Sequence, residues 1–171
     1  MPTRDFESIY TDFSRLVYWT AYGVTKSAQD AMDASQNVFL RVLKHIKKLE
    51  TMTDPQLRGW LYRVTVNLCL DGKRKLSREL LMDEDIDMVA TDEAVLPEPA
   101  ALSAEKRLIV RSAIDTLPDV YRETVILHYF SGLGYVEIAE LTGTTEGTIK
   151  SRMFRAKEKL CVLLKEGVSN G

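Results

Sequence analysis

Residues 81–104 hold seven acidic side chains and no lysine or arginine, and they include Pro97 and Pro99. Their apolar residues sustain no stripe, which predicts an acidic, flexible and extended linker. On either side the charge reverses. Residues 1–80 carry 13 Lys+Arg against 9 Asp+Glu, and residues 105–171 carry 10 against 9. The net charge of −2 thus conceals two neutral-to-basic blocks around an acidic one. Screening for nucleic-acid binding on total charge would miss this division. A chain of 171 residues interrupted in this way is expected to form two small domains rather than one core.

Both flanking blocks repeat their apolar residues at helical spacing, and neither shows strand alternation. Phe6, Ile9, Tyr10, Phe13, Leu16 and Val17 form a first stripe, interrupted at Gly23. Ser27-x-x-Asp30 resembles a capping box, with Asp in place of the usual Glu. Ala31, Ala34, Val38, Val42, Ile46 and Leu49 form a second stripe. After the break at Thr51–Pro55, Asp54 is expected to cap a third helix with Pro55 at its first position. Leu57, Trp60, Leu61, Val64 and Leu68 supply its apolar side, with Trp60 more readily core than functional. That helix runs into a basic cluster, Lys73, Arg74, Lys75 and Arg78, and Gly72 is a position where it is expected to end or bend.

The last block predicts four helices. Leu108, Ile109, Ala113 and Leu117 belong to one that stops at Pro118; the others cover about 119–130, 135–141 and 145–164. The fold expected is therefore all-α: residues 1–80, a linker over 81–104, and a four-helix unit over 105–171 containing a helix-turn-helix.

The helix-turn-helix lies in Tyr135–Ile149. Ala139 is small where two helices must cross closely, and Gly143 stands at the turn, where positive φ is often required. Thr144 or Thr145 offers a capping hydroxyl to the second helix. Ile149, Met153, Ala156 and Leu160 share an inward side of that helix, and Lys150, Ser151, Phe154 and Arg155 fall largely on the other. Basic and hydroxyl side chains so placed suit base edges and phosphates in a major groove, and the phenyl ring suits a thymine methyl or sugar.

Other chemistries find no support. There is no Gly-rich phosphate loop, metal-ligand cluster or nucleophile motif. Cys69 and Cys161 read as packed thiols, and His45 and His128 as isolated histidines. The expectation is no catalytic residue, no metal and no cofactor. No apolar run approaches the roughly 20 residues that span a bilayer, and the first residues lack a secretory pattern, which predicts a cytoplasmic protein without membrane insertion.

At this point a family resemblance emerges. Leu117-Pro118-Asp119-Val120-Tyr121-Arg122-Glu123, Gly132-Leu133-Gly134-Tyr135 and Gly147–Ala156 closely resemble the C-terminal domain of the small, two-domain extracytoplasmic-function (ECF) sigma factors of the sigma-70 family. The resemblance implies that this domain binds the −35 promoter element through Lys150, Ser151, Phe154 and Arg155; Arg122 and Arg152 also match the pattern. Asp30-x-x-Asp33-x-x-Gln36-x-x-Phe39 looks like the family helix that docks on the β′ clamp of core RNA polymerase, which implies Asp30, Asp33, Gln36 and Asn37 as polymerase-binding. Trp60-Leu61-Tyr62-Arg63-Val64-x-x-Asn67-Leu68-x-x-Asp71-x-x-Arg74 resembles the region that reads and melts the −10 element. There the resemblance implies a base-accepting loop at about Met52, Thr53, Asp54 and the following two residues, a nearby Asn67, and phosphate contacts from Lys73 and Arg74. Gly134 departs from the Ser or Thr common in the family at that position.

The implied activity is to direct core RNA polymerase to promoters, recognising −35 and −10 elements and promoting DNA opening. The implied partners are core polymerase, promoter DNA and an anti-sigma factor able to hold the protein at the membrane. The acidic linker fits a positive cleft until RNA displaces it, or simply stays solvated. A helix-turn-helix regulator acting alone on duplex DNA would not need the Trp60–Arg74 motif.

Overall fold

The computed structural model describes the backbone of residues 4–82 and 103–169, with side chains over 4–72 and 103–166. Among these residues there are helices and no strand. The chain divides into two compact units, Met1–Ala94 and Val95–Gly171. Most of the acidic segment, and the side chains of Lys73, Arg74, Lys75 and Arg78, lie outside the described residues.

The first unit packs α1 (Phe6–Thr25), α2 (Ala28–Lys44), the single turn α3 (Ile46–Leu49) and α4 (Asp54–Met82). Asp5 opens α1 by accepting the Ser8 N–H at 2.8 Å. Contrary to expectation, Gly23 does not interrupt the helix. α1 continues to Thr25 and closes on Lys26, which is left-handed at φ 56° and donates its N–H to the Tyr22 carbonyl. Ser27 caps α2 by accepting the Asp30 N–H, as the sequence predicts, but the reciprocal half of the capping box does not form, because the Ser27 N–H donates to the Thr25 hydroxyl at 3.3 Å. The second apolar stripe is split between two helices, because the backbone turns at His45 before Ile46 begins α3.

α4 begins differently from the sequence expectation. Thr53, not Asp54, is the cap: its hydroxyl accepts the Gln56 N–H at 3.4 Å while the Gln56 side chain accepts the Thr53 N–H at 3.1 Å. This reciprocal box satisfies two donors that an uncapped helix leaves open. Asp54 and Pro55 therefore occupy the first helical turn. The helix also passes through Gly72 without ending. Its buried edge is Leu57, Leu61, Thr65 and Cys69, whereas Trp60, Val64 and Leu68 are only half-buried. Thr65 is tolerated in the core because its hydroxyl donates to the Leu61 carbonyl at 2.6 Å.

Ile9, Val17, Val38, Val42, Leu49, Leu57 and Leu61 are fully buried and hold this unit together. Each such side chain contributes about 1.5–3 kcal/mol through removal from water. Truncating Leu61 to Ala would cost about 2–5 kcal/mol, the transfer loss plus the cavity left behind.

The second unit packs α5 (Ala104–Thr116), α6 (Asp119–Val125) with a continuing π-helical turn (Ile126–Phe130), α7 (Tyr135–Thr142) and α8 (Glu146–Ser169). Gly132 follows the π turn with φ 77°, where a side chain would be strained. The core draws on Ile114, Leu117, Val125, Ile126, Leu127, Ile138, Ile149, Met153 and Ala156. Two residues differ from expectation. Leu108 is exposed near the start of α5, and Cys161 is exposed on α8, while Cys69 is buried.

Candidate nucleic-acid interface

The helix-turn-helix is assembled by three local devices. At the start of α7 the Gly134 N–H donates to the Glu137 carboxylate at 3.0 Å. Glycine has no oxygen to return the bond, so only half of a capping box forms. At the turn Gly143 is left-handed at φ 69°, and both its N–H and that of Thr144 reach the Ala139 carbonyl. This satisfies a carbonyl that the helix end would otherwise orphan. Thr145, rather than Thr144, then caps α8 by accepting the Thr148 N–H at 3.2 Å.

α8 leaves this turn with its two sides resolved. Ile149, Met153 and Ala156 are buried, and Leu160 is half-buried. Lys150, Ser151, Phe154 and Arg155 are all exposed, Phe154 by 65%. A phenyl ring so far in water gains nothing from the core and is available to a ligand. The Lys150 ammonium lies 3.3 Å from Glu146, one turn earlier. Both groups are solvated, so this pair is weak and a phosphate can displace it.

Sequence reasoning passed over Lys157, which continues the face of Lys150 and Phe154. Its ammonium sits 5.9 Å from the centre of the Tyr129 ring, and the hydrogen bond with Tyr129 holds its pKa above the usual lysine value. The signal was present in the seven-residue step from Lys150. What was not visible was that the π turn brings Tyr129 alongside. Arg122, by contrast, is buried and is not a surface contact. Its guanidinium donates to the Leu117 carbonyl at 2.9 Å and bonds the Asp119 carboxylate.

In the first unit, Asp30, Asp33, Gln36 and Asn37 are all exposed on α2, opposite Ala31, Val38 and Val42. Asp33 accepts a hydrogen bond from the Gln29 side chain at 3.1 Å. Leu40, 62% exposed, and the exposed Leu43 lie on the same face. They add an apolar component that a purely polar reading of the helix overlooks.

The −10 candidates occupy two places. Met52 is half-buried in the turn before α4, and Thr53, Asp54, Pro55 and Gln56 are exposed, the last three within the first helical turn. Asn67 is exposed thirteen residues beyond Asp54 on the same helix. That separation is about 20 Å of helical rise. Asn67 therefore does not stand beside the turn. Trp60 lies edge-on to the exposed His45, ring centres 6.1 Å apart.

The chain matches the family models of Sigma-70 region 2 over residues 9–79 and of Sigma-70, region 4 over residues 107–160. It is 30% identical to the ECF RNA polymerase sigma factor SigW of Bacillus subtilis (strain 168), over 91% of this chain and 85% of that protein. The chain belongs to the ECF RNA polymerase sigma factors.

It is also 34% identical to the ECF RNA polymerase sigma factor SigE of Mycolicibacterium smegmatis, across 84% of this chain and 55% of that longer relative. Among solved structures, the sigma factor RpoE of Bartonella quintana, crystallised with the anti-sigma factor NepR, superimposes with a TM-score of 0.70 at 26% identity, covering 94% of this chain and 97% of that one. As a sigma factor the protein is a transcription initiation factor. The region 2 match spans α1, α2, α3 and most of α4, and the region 4 match spans the helix-turn-helix and the exposed face of α8. Among the described residues there is no group of His, Cys, Asp and Glu suited to a metal ion, and no helix long and apolar enough to cross a membrane.

Proposed function

We propose that this sigma factor divides promoter recognition between its two units, without catalysis of its own. Residues 105–171 bind duplex −35 DNA, with Arg155 and Lys150 supplying charged donors, Ser151 a hydroxyl and Phe154 an apolar contact. The observation that carries this reading is the exposure of these four side chains on a helix whose opposite side is locked into the core.

Residues 1–80 hold core polymerase through Asp30, Asp33, Gln36 and Asn37, flanked by Leu40 and Leu43. The same unit captures opened −10 DNA at Met52, Thr53 and Asp54 and, farther along α4, at Asn67. Taking a base out of the stack costs a few kcal/mol, which stacking and hydrogen bonds in such a pocket offset. Lys73 and Arg74 continue α4 toward the phosphates and add salt-dependent affinity. Residues 81–104 form the acidic connection, which occupies a positive cleft of the polymerase.

The protein works in the bacterial cytoplasm. A dedicated anti-sigma factor restrains it, as NepR accompanies the Bartonella relative. The deciding experiment is run-off transcription with bacterial core polymerase on a genomic promoter library, with and without the protein. Discrete protein-dependent start sites that share −35 and −10 elements are expected. Absence of both core binding and protein-dependent initiation would contradict the proposal.

A further inference from the structure

Arg4 lies outside the sequence motifs, yet it ties two elements together. Its guanidinium forms ion pairs with Asp12 on α1, at 3.6 Å, and with Asp54, the first residue of α4. The same group lies over the Phe13 ring, 5.7 Å from its centre. Phe13 is itself buried in the core. The Arg4 side chain is only 26% exposed, although Asp12 and Asp54 are both largely in water. Its backbone is anchored as well, because the next residue, Asp5, caps α1 through Ser8.

This arrangement bears on the turn that precedes α4. Leu57 and Leu61 fix the helix axis in the core. The Thr53–Gln56 box shapes the turn locally but does not place it against α1. Arg4 supplies that link. A planar guanidinium can engage two carboxylates at once and still stack on a ring, which an ammonium cannot reproduce. A single exposed ion pair carries little energy. Two carboxylates and an aromatic face acting on one covered cation make a directional strap.

We infer that Arg4 is a positioning residue for −10 recognition: by clamping Asp54 to α1 it sets the orientation of the Met52–Gln56 turn that receives the base. Arg4 does not touch DNA in this role. The inference rests on the reading of that turn as the base-accepting segment.

The test uses full-length protein with core polymerase, transcribing promoters that carry single-base changes in the −10 or the −35 element. Arg4→Ala is expected to reduce discrimination among −10 bases about fivefold, the size of effect that loss of a partly exposed ion pair can produce. Discrimination at −35 and affinity for core should stay at wild-type levels. Unchanged −10 discrimination overturns the inference. So does an equal loss at both elements or a loss of core affinity, either of which makes Arg4 a folding residue only. Met52→Ala, run in parallel, separates the two levels. If it too leaves −10 discrimination intact, the base-accepting reading of the turn fails. If it impairs discrimination while Arg4→Ala does not, only the role of Arg4 falls. Should Arg4→Ala not fold, Asp12→Asn decides. It removes the α1 carboxylate and keeps the arginine; a smaller loss confined to −10 is expected, and no loss overturns the inference.

Discussion

The Arg122 guanidinium donates to the Leu117 carbonyl at 2.9 Å across the turn that joins α5 to α6. Pro118 follows Leu117 and lacks an N–H, so the turn has one backbone donor fewer than usual. The Pro118 carbonyl takes the N–H groups of Tyr121 and Arg122, and the arginine side chain satisfies Leu117 from inside the fold. Asp119, on the exposed side, completes the pairing. A motif that sequence alone leaves without a role is thus a structural staple.

Arg122→Ala should therefore destabilise the second unit by about 2 kcal/mol, the cost of leaving a buried acceptor and a packed charge site unfilled. Arg122→Lys should recover little, because an ammonium lacks the fork that reaches two acceptors. Thermal unfolding of the purified protein measures both. A melting temperature unchanged in the Ala variant would refute the staple.

Gly134→Ser should stabilise the second unit by a few tenths of a kcal/mol. Gly134 has φ −77° and ψ 166°, a conformation serine adopts freely, and a Cβ there meets no atom within 4 Å. The new hydroxyl would accept the Glu137 N–H and complete the capping box. Denaturant unfolding tests this; a lower midpoint would show that the site needs glycine for another reason.

On α8, Arg155→Ala should weaken −35 binding by about 1–3 kcal/mol, and the loss should track the −35 sequence if Arg155 reads a base. Lys157→Ala should weaken binding to all sequences alike and lower the salt dependence, as expected of a phosphate contact. Binding titrations at several salt concentrations on matched and altered −35 duplexes separate the two. A sequence-independent loss for Arg155 would make it a phosphate contact too.

Met52→Ala, in the turn before α4, and Asn67→Ala, along α4, should impair different positions of the −10 element, set apart by the roughly 20 Å of helix between them. Both should leave −35 binding intact. Transcription from promoters with single −10 substitutions reads this directly. Identical base profiles for the two variants would return them to one pocket.

The cap of α1 should be sensitive to acid. The Ser8 backbone N–H, helped by its hydroxyl, lowers the Asp5 pKa in the folded protein. A lowered value means that the cap stabilises above the unfolded-state pKa and that this contribution is lost as pH falls through the folded one. The difference in melting temperature between wild type and Asp5→Ala should accordingly shrink on acidification. A constant difference would show that the charge of Asp5 is immaterial.

The amino-acid sequence by itself determined the helical class, the Ser27 cap, the Gly143 turn and the two sides of α8. These depend on residues close in the chain, where spacing and capping chemistry act locally. Only the tertiary structure decided which side chains meet across elements. It moved the buried edge of α4 from Trp60, Val64 and Leu68 to Thr65 and Cys69, because α4 turns its i, i+4 edge rather than its most apolar stripe toward α1 and α2. It also carried α1 past Gly23, since packing outweighs the small propensity cost of one glycine. It buried Arg122, joined Lys157 to Tyr129, and strapped Arg4 to Asp54. Arg4 and Asp54 are fifty residues apart in the chain. No periodicity records such a contact, because it exists only once the helices have packed.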